Sequence, residues 1–253
     1  MCRDRAWRRY MEERIVIRRL TDKLHLGRWY WRGFEDANGI THQHPFLSDY
    51  IGSSYYSGSG SYGFGWTLLR RPDNNYYFQL FNGDSNPNSL LSSNMDLITI
   101  NEWTHIVVTR KRSTQTKIYK NGVDVTSNFS YTLGSNTINC GYNSTQYCTI
   151  GALKDNNTST FGYIKGKMDL VLVYQKELTQ AEVTELYNSG AGKQLTTTPI
   201  VTNGLVLNLD ASRTSSYPGS GTTWTDISGS VNNGTMVNGP VFGTASGGVI
   251  TFD

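Results

Sequence analysis

Short runs of β-branched and aromatic residues, broken by clusters of Gly, Asn, Asp and Ser, set the rhythm of this chain. Residues 63–69, 76–81, 104–109 and 168–174 are the clearest of these runs, and each has strand length. Lys117-Ile118-Tyr119-Lys120 leads into Asn121-Gly122 and then Val123-Asp124-Val125. Asn-Gly takes the two positive φ values of a type I′ turn, so these arms are expected side by side. One helix is expected, after the last strong strand. Thr179 stands three residues before Glu182 as a capping box, Val183, Leu186 and Tyr187 share one face, and Asn188 and Gly190 close it. So short a helix is expected to pack on a sheet edge. Gln194 to Pro199 is a Thr-rich linker, Gly204 to Asp210 alternates as a strand, and Tyr217 to Gly247 is dominated by turn formers before a last strand at 249–253. The pattern predicts an all-β fold, an antiparallel two-sheet sandwich with one short C-terminal helix.

Residues 1–45 break the rhythm. Ile15-Val16-Ile17 fits a strand, while Trp7 to Leu20 fits a poor helix, and no period decides between them. Arg3, Arg5, Arg8, Arg9, Arg14, Arg18, Arg19, Arg28 and Arg32 all lie here, so the net charge of +3 is a property of this opening. The remainder is close to neutral, and no basic face for nucleic acid is expected on it. No run of 18 apolar residues occurs, which excludes a helical membrane span, and the opening lacks the apolar core of a secretory signal. Charged residues are only 17%, with Asn, Ser, Thr, Gly and Tyr making up much of the polar surface, a balance suited to an extracellular or particle-surface protein. Cys140 and Cys148 flank a hairpin-like stretch, either as a cross-hairpin disulfide or as two buried thiols, and Cys2 is left over.

Five motifs occur in an order that resembles the laminin-G-like, concanavalin A-like jelly-roll family of phage and bacterial surface proteins. They are Glu102-Trp103-Thr104-His105-Ile106-Val107, Ile118-Tyr119-Lys120-Asn121-Gly122, Ile150-Gly151, Gly166-Lys167-Met168-Asp169 and Leu178-Thr179-Gln180-Ala181-Glu182-Val183. A second resemblance follows the linker. Gly204-Leu205-Val206-Leu207-Asn208-Leu209-Asp210-Ala211, Trp224-Thr225-Asp226-Ile227-Ser228-Gly229 and Asn232-Asn233-Gly234-Thr235 are similar to the opening strands of another such domain. The resemblance implies an organisation of four parts. Residues 1–45 are an arginine-rich opening, degraded or out of frame, because Ile17-Arg18-Arg19-Leu20 can be encoded so that a neighbouring frame reads Phe-Asp-Gly-Ser. Residues 46–192 are a laminin-G-like sandwich, 193–203 a linker, and 204–253 the opening strands of a second or permuted domain.

The same fold hosts lectins and glycosidases, and the acids discriminate between them. Glycosidases need two carboxylates about 5 to 9.5 Å apart, and the Glu-x-Asp-x-x-Glu spacing that would supply them is absent. No catalytic residue and no cofactor is therefore expected, with a glycoside hydrolase or lyase as the alternative. Asp210, Asp226, Asn232 and Asn233 are hard oxygen donors in loops, but they read better as turn caps than as a calcium site. His25, His42, His44 and His105 have no metal-ligand spacing. The better clue is aromatic. Tyr55, Tyr56, Tyr62, Trp66, Tyr142 and Tyr163 lie in or beside Gly/Ser/Asn loops, where flat rings can stack on sugars and bond their hydroxyls. The expectation is a non-catalytic carbohydrate-binding or assembly module of a virion or cell surface. Its partners would be glycans or neighbouring laminin-G-like domains or subunits, and not nucleic acid or membrane.

Overall fold

The computed structural model describes residues 14–21, 44–51, 64–70, 76–82, 89–93, 103–109, 116–133, 149–151, 153–155, 159–161, 166–188, 201–244 and 247–252. In chain order its strands are β1 (Arg14–Thr21), β2 (His44–Ile51), β3 (Phe64–Arg70), β4 (Tyr76–Asn82), β5 (Ser89–Ser93), β6 (Thr104–Thr109), β7 (Lys117–Lys120), β8 (Val123–Asp124) and β9 (Phe129–Leu133). They continue as β10 (Thr149–Ile150), β11 (Leu153–Asp155), β12 (Ser159–Phe161), β13 (Gly166–Tyr174), β14 (Leu205–Asp210), β15 (Thr223–Trp224), β16 (Gly234–Thr235), β17 (Val241–Gly243) and β18 (Val249–Phe252). The α-helix among the described residues, α1 (Gln180–Asn188), lies between β13 and β14. Strands predominate and pair antiparallel, as the hydrophobic pattern requires.

The chain divides into two compact units. The first comprises Met1–Lys23, Leu97–Thr126 and Lys165–Asp253, and the second Leu24–Asp96 and Ser127–Ile164. The second unit contains a six-stranded sheet in the order β10-β2-β3-β4-β5-β9, in which the buried Leu68 and Phe78 stand directly opposite each other. A small β11–β12 hairpin belongs to the same unit.

The first unit is built on an eight-stranded sheet in the order β17-β18-β13-β1-β6-β7-β8, with β14 also paired to β13. β13 is its axis. Residues Met168 to Tyr174 are all buried, although alternate side chains of a strand point to opposite faces, so both faces are covered there. A continuous apolar run, Leu170-Val171-Leu172-Val173-Tyr174, is what such a strand needs. β1 runs along one edge, with Val16 opposite Leu172 and Ile17 opposite Val171. The Ile15-Val16-Ile17 segment is thus strand, and its other edge pairs with β6, where Val16 meets Val107 and Ile17 meets Ile106.

The second edge of β13 is shared end to end by two strands from beyond the linker. β14 pairs with Leu170 to Tyr174, and β18 pairs with Gly166 to Met168. Backbone bonds extend this ladder at both limits: the Gln175 N–H donates to Gly204 O (2.6 Å) and the Ala211 N–H to Asp169 O (3.0 Å). Tyr174 adds a hydroxyl bond to Val201 O (2.9 Å), which anchors the chain as it returns.

Helix α1 lies over a face of this sheet, not at its edge. Leu178, Val183 and Leu186 join Val107 of β6, Tyr119 of β7 and Leu170, Leu172 and Tyr174 of β13 in one buried cluster, to which Val201 and Leu205 are added. The expected edge position fails because one apolar stripe is buried more fully against alternate residues of several strands than against a rim. The β7–β8 turn holds the helix in place. Asn121 (φ 51°) and Gly122 (φ 80°) form the expected type I′ turn, Gln180 Nε2 donates to Gly122 O (2.7 Å), and Tyr187 packs so closely that a Cβ at Gly122 would meet its ring at 3.0 Å. The Tyr187 ring also stacks on the buried His105, with centroids 5.8 Å apart.

The helix start is the capping box. The Thr179 N–H donates to Glu182 Oε2 (2.9 Å), and the Glu182 N–H donates to Thr179 Oγ1 (3.3 Å). Lys176 pairs with the same carboxylate. Burial pushes the Glu182 carboxyl up, but the bonds from Lys176 and Thr179 outweigh it and hold the group below its ordinary 4.5. Thr179→Ala is expected to cost about 1 kcal/mol in chemical denaturation by stranding a helix donor. Because the folded-state carboxyl is depressed, its contribution is complete above pH 4.5 and is lost as pH falls through the lower folded value. The wild-type melting midpoint should therefore drop more on acidification below pH 4.5 than that of Glu182→Gln.

Candidate functional site

Of the aromatic residues expected to face a ligand, Tyr55, Tyr56, Tyr62, Tyr142 and Tyr163 lie outside the described residues. Trp66 is in β3, directly opposite Asp49 of β2 and Leu80 of β4, so its backbone is at the interior of the six-stranded sheet. Cys2, Cys140 and Cys148 also lie outside the described residues. The tyrosines of the first unit's core have other work. Tyr119 and Tyr174 are among the most fully buried large side chains, and Tyr217 is buried with its hydroxyl on Gly221 O (2.9 Å). Burial, then the charge of Asp124, pushes the Tyr119 hydroxyl above its ordinary value, so it stays protonated and serves packing.

The loop oxygens after the linker assemble into one network. Asp226 Oδ1 accepts from the backbone N–H of Asn208 (2.8 Å) and of Ser228 (2.9 Å), while Oδ2 accepts from the Ser228 hydroxyl and from the Asn232 N–H, both at 2.9 Å. The Asp226 N–H donates in turn to Asn233 Oδ1 (2.9 Å), and Asn232 Nδ2 donates to Val206 O (2.8 Å). Asp226 thus joins β14 to two turns with four accepted bonds, and its lone pairs are occupied by the protein's own donors. Asp210 is used similarly: Oδ1 accepts from the Ser212 N–H (3.0 Å) and hydroxyl (2.6 Å), and Oδ2 stands 3.4 Å from Arg213 Nε. Ser216, wholly buried, accepts from the Asp210 N–H (3.0 Å) and donates to Thr225 O (2.6 Å). Among the described residues no three Asp, Glu, His or Cys side chains gather as a metal would require.

Sequence reasoning grouped Asp210, Asp226, Asn232 and Asn233 by loop and ligand type, but not Ser216, because a lone serine in a turn-rich stretch carries no pattern. It also missed Val231, a residue that is 74% exposed and whose φ is 60°. A β-branched residue in the left-handed region is strained, and here the bond from Asn232 to Asp226 helps to hold it. Val123, Val237 and Val241 are exposed as well. Among the described helices none is long and apolar enough to cross a membrane.

Removing Asp226 strands two buried backbone donors, at Asn208 and Asn232, each worth about 1 to 3 kcal/mol. Asp226→Ala is therefore expected to lower unfolding free energy by roughly 2 to 6 kcal/mol. Asp226→Asn, which keeps one acceptor oxygen, should lie between it and wild type. Equal stability of all three proteins in a denaturant titration would contradict the network.

No curated protein sequence matches the chain significantly. Among solved structures, the receptor-binding domain of botulinum neurotoxin type G is similar at 14% identity and a TM-score of 0.36, over 95% of this chain and 57% of that one. This chain therefore spans a little over half the length of that structure. The family model of the concanavalin A-like lectin/glucanases superfamily matches residues 41–184, from before β2 into α1. That match covers more than half of the sequence and bears out the laminin-G-like resemblance and the antiparallel sandwich fold class, so the chain belongs to the concanavalin A-like lectin/glucanases superfamily.

Proposed function

We propose that this chain is a non-catalytic carbohydrate-binding module, carried on a phage particle or a bacterial surface. The observation that carries the reading is the use made of four of its acids. Asp124 accepts from the Thr126 N–H, Glu182 closes the helix cap, and Asp210 and Asp226 brace turns. A glycosidase needs one carboxyl free to protonate the leaving oxygen and another free to attack or to activate water. Acids committed to backbone donors in the folded state serve neither role. Within a superfamily of lectins and glucanases, this favours binding over cleavage.

The recognition surface is assigned to loop aromatics Tyr55, Tyr56, Tyr62, Tyr142 and Tyr163, with Trp66 beside them in sequence. Tyr119, Tyr174 and Tyr217 are packed and cannot stack on a sugar without unfolding. Rings in Gly/Ser/Asn loops offer flat, rigid contact area at small entropic cost, which is what a sugar face requires. The polar, lightly charged composition and the superfamily fold support an exposed setting on a virion or cell.

A glycan array probed with the intact chain tests this reading. Binding to a restricted set of glycans is expected, with no new reducing ends released from them. Alanine variants of the five tyrosines should include at least two that weaken binding about tenfold, or about 1.4 kcal/mol, at unchanged melting midpoint. Release of reducing ends, or full binding by every variant, would overturn it.

A further inference from the structure

Everything after the linker is fastened to the first unit's sheet along one strand edge. β14 and β18 occupy the same side of β13, and the Gln175 to Gly204 and Ala211 to Asp169 bonds continue that ladder. Within itself the segment is tightly held. Asp226 ties β14 to the turns at Ser228 and Asn232, and Tyr217 packs on Phe242 of β17 with ring centroids 5.4 Å apart. Gly248 (φ 146°) lies so close to the end of β14 that a Cβ there would fall 2.3 Å from Ala211 O. Strand, turns and terminal hairpin are thus one body.

That body is joined to α1 through residues 189–200, in which Gly190, Gly192 and Pro199 punctuate a Thr-rich stretch. The ladder on β13 is made of backbone bonds and apolar burial that do not depend on which chain supplies the strands. We propose that the outer edge of β13 is an interface for a second copy of this chain, which seats its own residues 201–252 there in exchange. This goes beyond glycan recognition and does not rest on it. A tether of this length gives the chain's own segment an effective concentration of about millimolar, so dilute protein closes on itself and crowded copies exchange. Two chains that exchange reciprocally form a two-fold symmetric dimer, and chains that each pass the segment to the next form a larger ring or an open filament.

Lys167 and Thr251 stand directly opposite each other, are partly exposed, and so can report on the exchange. In full chains with Cys2, Cys140 and Cys148 replaced by serine, the double variant Lys167→Cys/Thr251→Cys should form a disulfide within one chain at low concentration. Chains carrying Lys167→Cys alone and Thr251→Cys alone, mixed near millimolar and then oxidised, should give a covalent heterodimer whose yield rises with concentration. A mixture of Lys167→Cys with the exposed Val231→Cys sets the background from random collision. A heterodimer yield at that background, with the double variant bridged internally, overturns exchange. Failure of the double variant to bridge overturns the β13–β18 pairing itself.

Discussion

The structure of the first unit depends on filling both edges of β13. A strand buried from Met168 to Tyr174 cannot leave its backbone donors and acceptors without partners, because water does not reach them. Three stretches distant in sequence meet this demand, at Arg14–Thr21, Leu205–Asp210 and Val249–Phe252. The helix then has a complete apolar face on which to lie, and Val201 and Leu205 from beyond the linker enter the cluster beneath it. The segment after the linker is therefore structural for the first unit, of which it is a part.

Local signals in the sequence carried well where the physics is local. β3, β4, β6 and β13 lie where runs of apolar residues ended in turn formers, and Asn121-Gly122 adopts the φ values that only such a pair takes without strain. The Thr179 and Glu182 box is formed as spaced. Pairing was less legible, because period and propensity identify a strand but not its neighbour. Leu205 to Leu209 alternates whether it joins β13, a missing domain or another molecule. The helix position shows the same limit: Val183 and Leu186 mark a face, but only the assembled strands decide what that face covers. In the opening, the arginines around Ile15-Val16-Ile17 obscured a strand that long-range pairing with β6 and β13 specifies.

The candidate site was legible in a different way. Asp226 could be read as an oxygen ligand or as a turn brace from its neighbours alone, and in the structure its carboxylate accepts four bonds from the protein's own donors. The burial of Tyr119 and Tyr174 is a property that composition does not encode. Tyr119 and Tyr174 alternate with other core residues of their strands, whereas Tyr55, Tyr56, Tyr62, Tyr142 and Tyr163 sit among Gly, Ser and Asn. Asp124, Glu182, Asp210 and Asp226 each accept bonds that hold a turn or the helix cap.

The dependence of β13 on the returning segment is tested most directly by ending the chain at Leu195. Without β14 and β18, an edge of β13 and part of the helix-covered cluster are exposed, both of which favour aggregation. The truncated protein is expected to lose its cooperative melting transition or to elute as aggregate in size-exclusion chromatography. A soluble, monomeric product with the melting midpoint of the full chain would contradict the account.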